Sequence, residues 1–488
     1  MMFMHESSIM TLQKAMEEGK TTSRELTLSF LKRIAAYDKQ GVSINAISEV
    51  NPDALHIAEA MDREREVSGS RGPLHGIPIL IKDNIATADS MHTTAGSLAL
   101  ADSYASADAF LVSRLRAACA VLLGKTNLTE WANFISDHMP NGYSSRGGQV
   151  RNPYGPDVFD VGGSSAGSGA AIAAGFAVAA VGTETSGSIL YPSACNSLVG
   201  IKPTVGLISR SGIIPIATSQ DTAGPMARTV EDAAILLSAM VGYDERDPAT
   251  GRSIGLAPYD YQICLDKNSL QGARVGIVRS GYLATFSREE QALYDEAIAV
   301  LHKAGATVID SVTIRTEEAN WQNAVLIHEF KSGINAYLKT LPADFPLRTL
   351  KDLIAWNQKH EAEALRYGQA LFEKAEQTSG SLADAAYIEA RLYDLEMSQT
   401  RGIDAAMKEH QLDCLVFPMS EGDSIAARAG YPSVSVPAGY TTAGKPFGIM
   451  FTGMAFQEPA LIRLAYAYEQ RSLKRMAPPL LAEQHSER

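Results

Sequence analysis

Between Asp160 and Gly224 the chain is built largely of glycine, serine and small apolar residues and carries few charges. From Val161 to Thr183 no residue is charged, a span long enough to test as a membrane helix. Its first half, Gly162-Gly163-Ser164-Ser165-Ala166-Gly167-Ser168-Gly169, makes a poor lipid-facing helix. A flexible linker would lack the apolar residues interleaved through this region. The composition therefore demands backbone that turns tightly and packs closely. Ala170 to Val181 is expected to be a helix buried in protein, and no membrane span is expected.

The bulk properties narrow the partners. An apolar content of 45% and a charged content of 20% fit a soluble globular chain. The net charge of −12 gives a surface that repels phosphates, which excludes nucleic acid as an expected partner. Cys119, Cys195, Cys264 and Cys414 form no C-x-x-C pair and no cysteine-histidine cluster of zinc spacing. Reduced thiols in a cytoplasmic protein are expected. The N-terminal residues lack a basic segment followed by an apolar one, so no secretory signal is read. Residue types leave the oligomeric state open.

Strand and helix patterns alternate along the chain, which makes α/β the expected class. Length alone would allow about three domains, but the expected organisation is one domain over 1–488. Thr22 and Glu25 have capping-box spacing ahead of a helical pattern. Asn51-Pro52 reads as an N-cap with proline at the first helical position. Ile77 to Ile81 is a short apolar run suited to a buried strand that ends at Lys82. Further strands are expected at 120–123, 275–278, 307–309, 414–417 and 433–436, and a last helix from near Pro459. The segment 244–410 is more charged and helical and is expected to shape a substrate entrance.

Two short motifs fail on inspection and a third stays as a competitor. Gly124-Lys125-Thr126 ends like a phosphate-binding loop, but Cys119 stands where the first glycine is needed. Ser29-x-x-Lys32 lies inside the capped helix and has no partner motif. Gly163-Ser164-Ser165-Ala166-Gly167 is a formal G-x-S-x-G, which would make Ser165 a nucleophile on a strand-to-helix elbow. The two prolines, the glycine and the two aspartates of 152–160 argue against the strand that elbow needs. The ten histidines contain no H-E-x-x-H, so no metal is expected. His75 reads as structural.

Three segments in order carry the strongest signal: His75-Gly76-Ile77-Pro78-Ile79-Leu80-Ile81-Lys82-Asp83-Asn84; Gly162-Gly163-Ser164-Ser165-Ala166-Gly167-Ser168; and Gly182-Thr183-Glu184-Thr185-Ser186-Gly187-Ser188-Ile189. Gly200-Ile201-Lys202-Pro203-Thr204 and Gln220-Asp221-Thr222-Ala223-Gly224-Pro225 extend them. Together they resemble the amidase signature family. That resemblance implies a large mixed central β-sheet flanked by helices, no cofactor and no metal. It also implies a catalytic set of Lys82, Ser164 and Ser188. Ser188 would be the nucleophile, 24 positions after Ser164. Ser164 would follow a cis bond from Gly163 and relay protons, and Lys82 would be the base. Backbone N–H groups of Thr185, Ser186, Gly187 and Ser188 would face the oxyanion, and Ser165 would hold Ser164 or Lys82.

The chemistry of these groups is coherent. A serine hydroxyl needs a base at neutral pH. A lysine, ordinarily near ~10.4, can serve only if burial strips its charge. Many family members read Gly-Thr-Asp-Thr-Gly-Gly-Ser-Ile-Arg; here Glu184, Ser186 and Leu190 replace the aspartate, a glycine and the arginine. Losing that arginine removes a fork for carboxylates, so a small neutral amide or amidated peptide is the expected substrate. The form is most like bacterial peptide amidases. Trp131, Phe134, Tyr143, Leu190 and Tyr191 are the candidates for the acyl pocket. The alternatives are an amidotransferase subunit that passes ammonia from glutamine to a partner, a Ser165-based hydrolase, and a catalytically silent binding protein on this fold.

Overall fold

The buried run that ends at Lys82 becomes an inner strand of a wide sheet, because every one of its residues is covered on both faces. The structure, a computed structural model, describes residues 4–258, 260–314 and 319–479. The strands are β1 (Ile47–Val50), β2 (Pro78–Lys82), β3 (Val121–Thr126), β4 (Tyr143–Ser144) and β5 (Gly148–Gln149). Next come β6 (Ala179–Glu184), β7 (Val199–Lys202), β8 (Thr222–Ala227) and β9 (Arg274–Ile277). The last four are β10 (Thr307–Ile309), β11 (Cys414–Pro418), β12 (Ser433–Tyr440) and β13 (Pro446–Thr452).

Eleven of these form one sheet in the order β1-β3-β2-β6-β8-β7-β12-β13-β11-β9-β10, and β4 pairs with β5 as a separate hairpin. The sheet is mixed. β2 runs parallel to β3 and β6, and β9 runs parallel to β10 and β11. The remaining pairings are antiparallel. Helices flank it, and the expected α/β class holds. No helix among the described residues is long and apolar enough to cross a membrane.

Two local expectations are corrected. Ala170–Val181 is not one helix: the helix spans Ala166–Ala173, and the chain then enters β6 at Ala179. Small apolar residues are compatible with either element, and sheet pairing to β2 and β8 decides. Asn51 is not the N-cap of the next helix, which spans Ala54–Ser68 after Asp53. Its side chain instead donates to the Leu122 carbonyl and accepts from Asp53 N, tying the end of β1 to β3. The Thr22–Glu25 capping box is present.

The segment 244–410 supplies β9 and β10 to the sheet together with several helices. One of these, Ala324–Leu338, packs Phe330 and Ile334 into an apolar cluster with Trp131, Phe134 and Phe372. That cluster seats the segment over the end of the sheet where β2 and β6 finish.

Candidate active site

Lys82 is the last residue of β2 and has no exposed surface. Its Nζ lies 2.8 Å from Ser164 Oγ, 2.9 Å from Ser165 Oγ, 2.9 Å from Thr183 Oγ1 and 3.3 Å from the Thr183 carbonyl. All four contacts are hydroxyl or carbonyl oxygens. Burial pulls the amine down to about 7, and the Glu184 and Asp221 carboxylates only partly offset it. Near neutrality a large share of Lys82 is therefore the free amine, with a lone pair that can accept a proton.

The hydroxyl protons around it can be assigned. Ser165 Oγ donates to the Thr183 carbonyl at 3.1 Å and accepts from Thr183 N at 3.3 Å. Thr183 Oγ1 accepts from Asn84 Nδ2 at 3.0 Å. Ser164 has no such commitment to a carbonyl.

The loop that carries Ser164 precedes the helix Ala166–Ala173. The Gly163–Ser164 peptide bond is cis. Only glycine fits at 163, since a Cβ there would stand 2.5 Å from Thr129 Oγ1 and 2.8 Å from Asn141 Oδ1. The Ser164 carbonyl accepts from Thr129 N at 3.0 Å. No strand leads directly into this loop, because 153–159 is turn and bend. The elbow that a G-x-S-x-G nucleophile requires is missing there.

β6 ends at Glu184 and the chain turns through Thr185, Ser186, Gly187 and Ser188 into the short helix Leu190–Cys195. Ser188 keeps 8% of its surface exposed while Ser164 and Ser165 keep none. The Ser188 carbonyl accepts from Ser165 N at 3.2 Å, which joins the two serine loops. Glu184 Oε2 accepts from Ile189 N at 2.7 Å and Leu190 N at 3.0 Å, so this longer acid caps the helix behind Ser188. Gly187 has φ +80°, and the Asp423 carboxylate lies against its Cα where a side chain would project. Burial raises Asp423, and the neighbouring Glu184 and Glu421 carboxylates raise it further.

Beside this loop lies a cavity of about 280 Å³. Its polar end holds Asn84, Thr183, Thr185 and Asp221, and its walls include Ile214, Ile216, Ala336 and Tyr337. The pocket candidates read from the sequence divide around it. Trp131 and Phe134 are buried behind it, edge-on to Phe372 and tilted on Phe330 respectively. Ala132, between them in sequence, is the one that lines the cavity. Tyr143 packs on Tyr367. Tyr191 lines a different, more polar cavity with Asp160, Glu290, Glu421 and Lys445. Leu190 is a correction to the pocket expectation: it is fully buried among Phe417, Ile425 and Met450, because the helix it opens turns it into the core.

Thr183, Asn84 and Asp221 complete the site, although the sequence motifs alone assign them no role. Asn84 follows Lys82 by two positions and Thr183 precedes Ser188 by five. Their polarity beside the motif residues is the one signal the sequence carries for them. Lys125 and His75 have structural roles. Lys125 is buried and donates to the Ile85 carbonyl and Thr93 Oγ1. His75 Nδ1 accepts from Arg71 N, and its Nε2 bonds the Met61 carbonyl.

Comparison with known proteins identifies the family and the fold. The sequence model of the amidase family covers residues 25–462. A probable amidase of Arabidopsis thaliana is 41% identical over 488 residues, covering 98% of this chain and 92% of the relative. A glutamyl-tRNA(Gln) amidotransferase chain of Halorhodospira halophila is 33% identical, covering 96% of this chain and 97% of the relative. The peptide amidase of Stenotrophomonas maltophilia superposes with a TM-score of 0.93 at 48% identity, covering 97% of this chain and 99% of that one. A peptide amidase bound to the competitive inhibitor chymostatin superposes with a TM-score of 0.92 at 49% identity, covering 97% and 99%. The chain belongs to the amidase family, and its chemistry is the hydrolysis of amides.

Proposed function

We propose that this enzyme removes ammonia from neutral carboxylic amides, in particular the C-terminal amide of peptides, through Ser188, Ser164 and Lys82. The observation that carries the reading is the fully buried Lys82 amine 2.8 Å from Ser164 Oγ, pulled by its burial down to about 7. In the first step Ser188 Oγ attacks the amide carbonyl carbon. Its proton passes to Ser164, whose own proton passes to Lys82 Nζ. The negative charge that develops on the carbonyl oxygen is met by backbone N–H groups of residues 185–188. The C–N bond then breaks as the proton returns through Ser164 to the leaving nitrogen, and ammonia departs. Water, deprotonated by the same relay, attacks the Ser188 ester and releases the acid.

The substrate class is supported by two observations. The cavity next to Thr183 and Thr185 presents mainly apolar surface, and the guanidinium on its wall, Arg210, is already paired with Asp247 while Leu190 supplies none for an acidic acyl group. The similar peptide amidases share nearly half of this sequence over almost its whole length. Residues 1–488 are read as one domain, with 244–410 forming part of the cavity wall through Gly333, Ala336 and Tyr337.

Ammonia release from amidated peptides, simple aliphatic and aromatic amides, and glutamine tests the reading with wild type beside Ser188→Ala. Turnover of amidated peptides that vanishes in the variant supports it. Turnover that survives Ser188→Ala refutes the mechanism. Glutamine as the one productive donor would transfer the chain to the amidotransferase reading.

A further inference from the structure

The segment Gln220-Asp221-Thr222 stands out in the sequence but has no part in the proton path above. Asp221 is 8% exposed and sits at the polar end of the cavity. Its Oδ1 accepts from Thr185 Oγ1 at 2.5 Å. Its Oδ2 accepts from Ile216 N and Ala217 N, both at 2.9 Å. One carboxyl group thus joins the first residue after β6 to the backbone of the loop that walls the cavity. We infer that Asp221 is a positioning residue of the reaction, holding Thr185 and with it the loop of oxyanion donors against the 216–217 wall. The inference rests on the assignment of Ser188 and the 185–188 loop given above.

The physical case is geometric. Oxyanion donors act through placement, and a shift of the order of 1 Å can cost about 10²-fold in rate. The Thr185 hydroxyl commits its proton to Asp221, and this bond anchors its side chain. Asp221 is in turn held by three hydrogen bonds from two chain segments, so it cannot turn away while the 216–217 backbone stays in place.

A second consequence concerns Lys82. The groups around Asp221 are Glu184 at the end of β6, Lys82 at the end of β2, Arg210 on the cavity wall and Glu329 on the helix above. Arg210 is engaged by Asp247, and Glu329 accepts from Ser219 N and Tyr387 Oη. When ionised, Asp221 favours the charged form of Lys82, second to Glu184. Burial raises Asp221 itself to about 7, the point to which it lowers Lys82, so near neutrality its charge weighs little on the amine and its role rests on the hydrogen bonds.

The test compares Thr185→Val, Thr185→Ser, Asp221→Asn and Asp221→Ala on an amidated peptide, with Ser188→Ala as the control. Active sites are titrated so that rates are per competent enzyme. Thr185→Val and Asp221→Ala should each lower kcat about 10²-fold with KM within about twofold, and Thr185→Ser should stay within about threefold of wild type. Asp221→Ala combined with Thr185→Val should be no worse than Asp221→Ala alone, since both break one link. Asp221→Asn keeps one acceptor oxygen and should fall between wild type and Asp221→Ala in kcat. A Thr185→Val or Asp221→Ala enzyme of wild-type kcat overturns the positioning role. So does lower thermal stability with unchanged kcat per titrated site. Activity that survives Ser188→Ala instead overturns the mechanism beneath it.

Discussion

Ser165 Oγ lies 2.9 Å from Lys82 Nζ, yet its hydroxyl proton is turned to the Thr183 carbonyl 3.1 Å away. Of the adjacent serines, Ser164 alone keeps a proton free to move toward the amine. This division of labour separates two residues that the sequence presents as interchangeable.

Single alanine variants should therefore rank. Ser188→Ala and Ser164→Ala should each lower kcat by about 10³-fold or more, as loss of a member of a cooperative nucleophile set does. Ser165→Ala removes one hydrogen bond to the base and should cost about tenfold. Steady-state ammonia release from an amidated peptide gives the ranking. Equal losses at 164 and 165 would contradict the proton assignment.

The pH profile should report Lys82. Its charged form is disfavoured by burial, with a midpoint at about 7. Protonation below that point removes the base, so kcat/KM should fall as pH drops through about 7 and level off above it. Substrates without titratable groups make the measurement clean. A profile flat between about pH 5 and 9 would rule out the neutral-lysine step.

The cavity should control acyl size. Ala336 faces it from the helix Ala324–Leu338 and is exposed, so Ala336→Trp fills space without disturbing the core. KM for bulky acyl groups should rise about tenfold or more, while acetamide-sized substrates keep their kinetics. A uniform change across substrate sizes would place the acyl group elsewhere.

Glu184 should matter for stability as well as activity. Glu184→Ala would leave the buried N–H groups of Ile189 and Leu190 without their acceptor, at about 1–3 kcal/mol each. Glu184→Gln keeps an acceptor oxygen and should lose less. Thermal unfolding with intact secondary structure at room temperature distinguishes the two variants. Equal unfolding temperatures for wild type and Glu184→Ala would show that the cap contributes nothing.

Much of the site is legible in the sequence because it lies in contiguous motifs. Lys82 ends an apolar run whose burial on both faces is written in residue type, and the Gly-Ser loop announces close backbone approach. Strands β7 and β8 are not legible there. Pro225 and Gly224 sit inside β8, residues that ordinarily argue against a strand. Pairing with β6 on one side and β7 on the other overrides that preference. The pocket aromatics fail for a related reason: apolar character shows that a side chain will be covered, not whether a cavity or another ring covers it.

The sequence by itself determined the family and singled out the proposed reacting groups, since Lys82, Ser164 and Ser188 stand in motifs whose order and spacing are local properties of the chain. The tertiary structure decided what those groups can do. Lys82 is lowered toward the free amine because β2 lies inside the sheet, between β3 and β6, and its amine is sealed from solvent. Ser165 Oγ donates to the Thr183 carbonyl because β6 brings that carbonyl to it. Asp221, 36 positions beyond Thr185, meets it through the folding of the chain around β7 and β8. Desolvation and hydrogen-bond direction depend on neighbours distant in sequence, and only the fold supplies them.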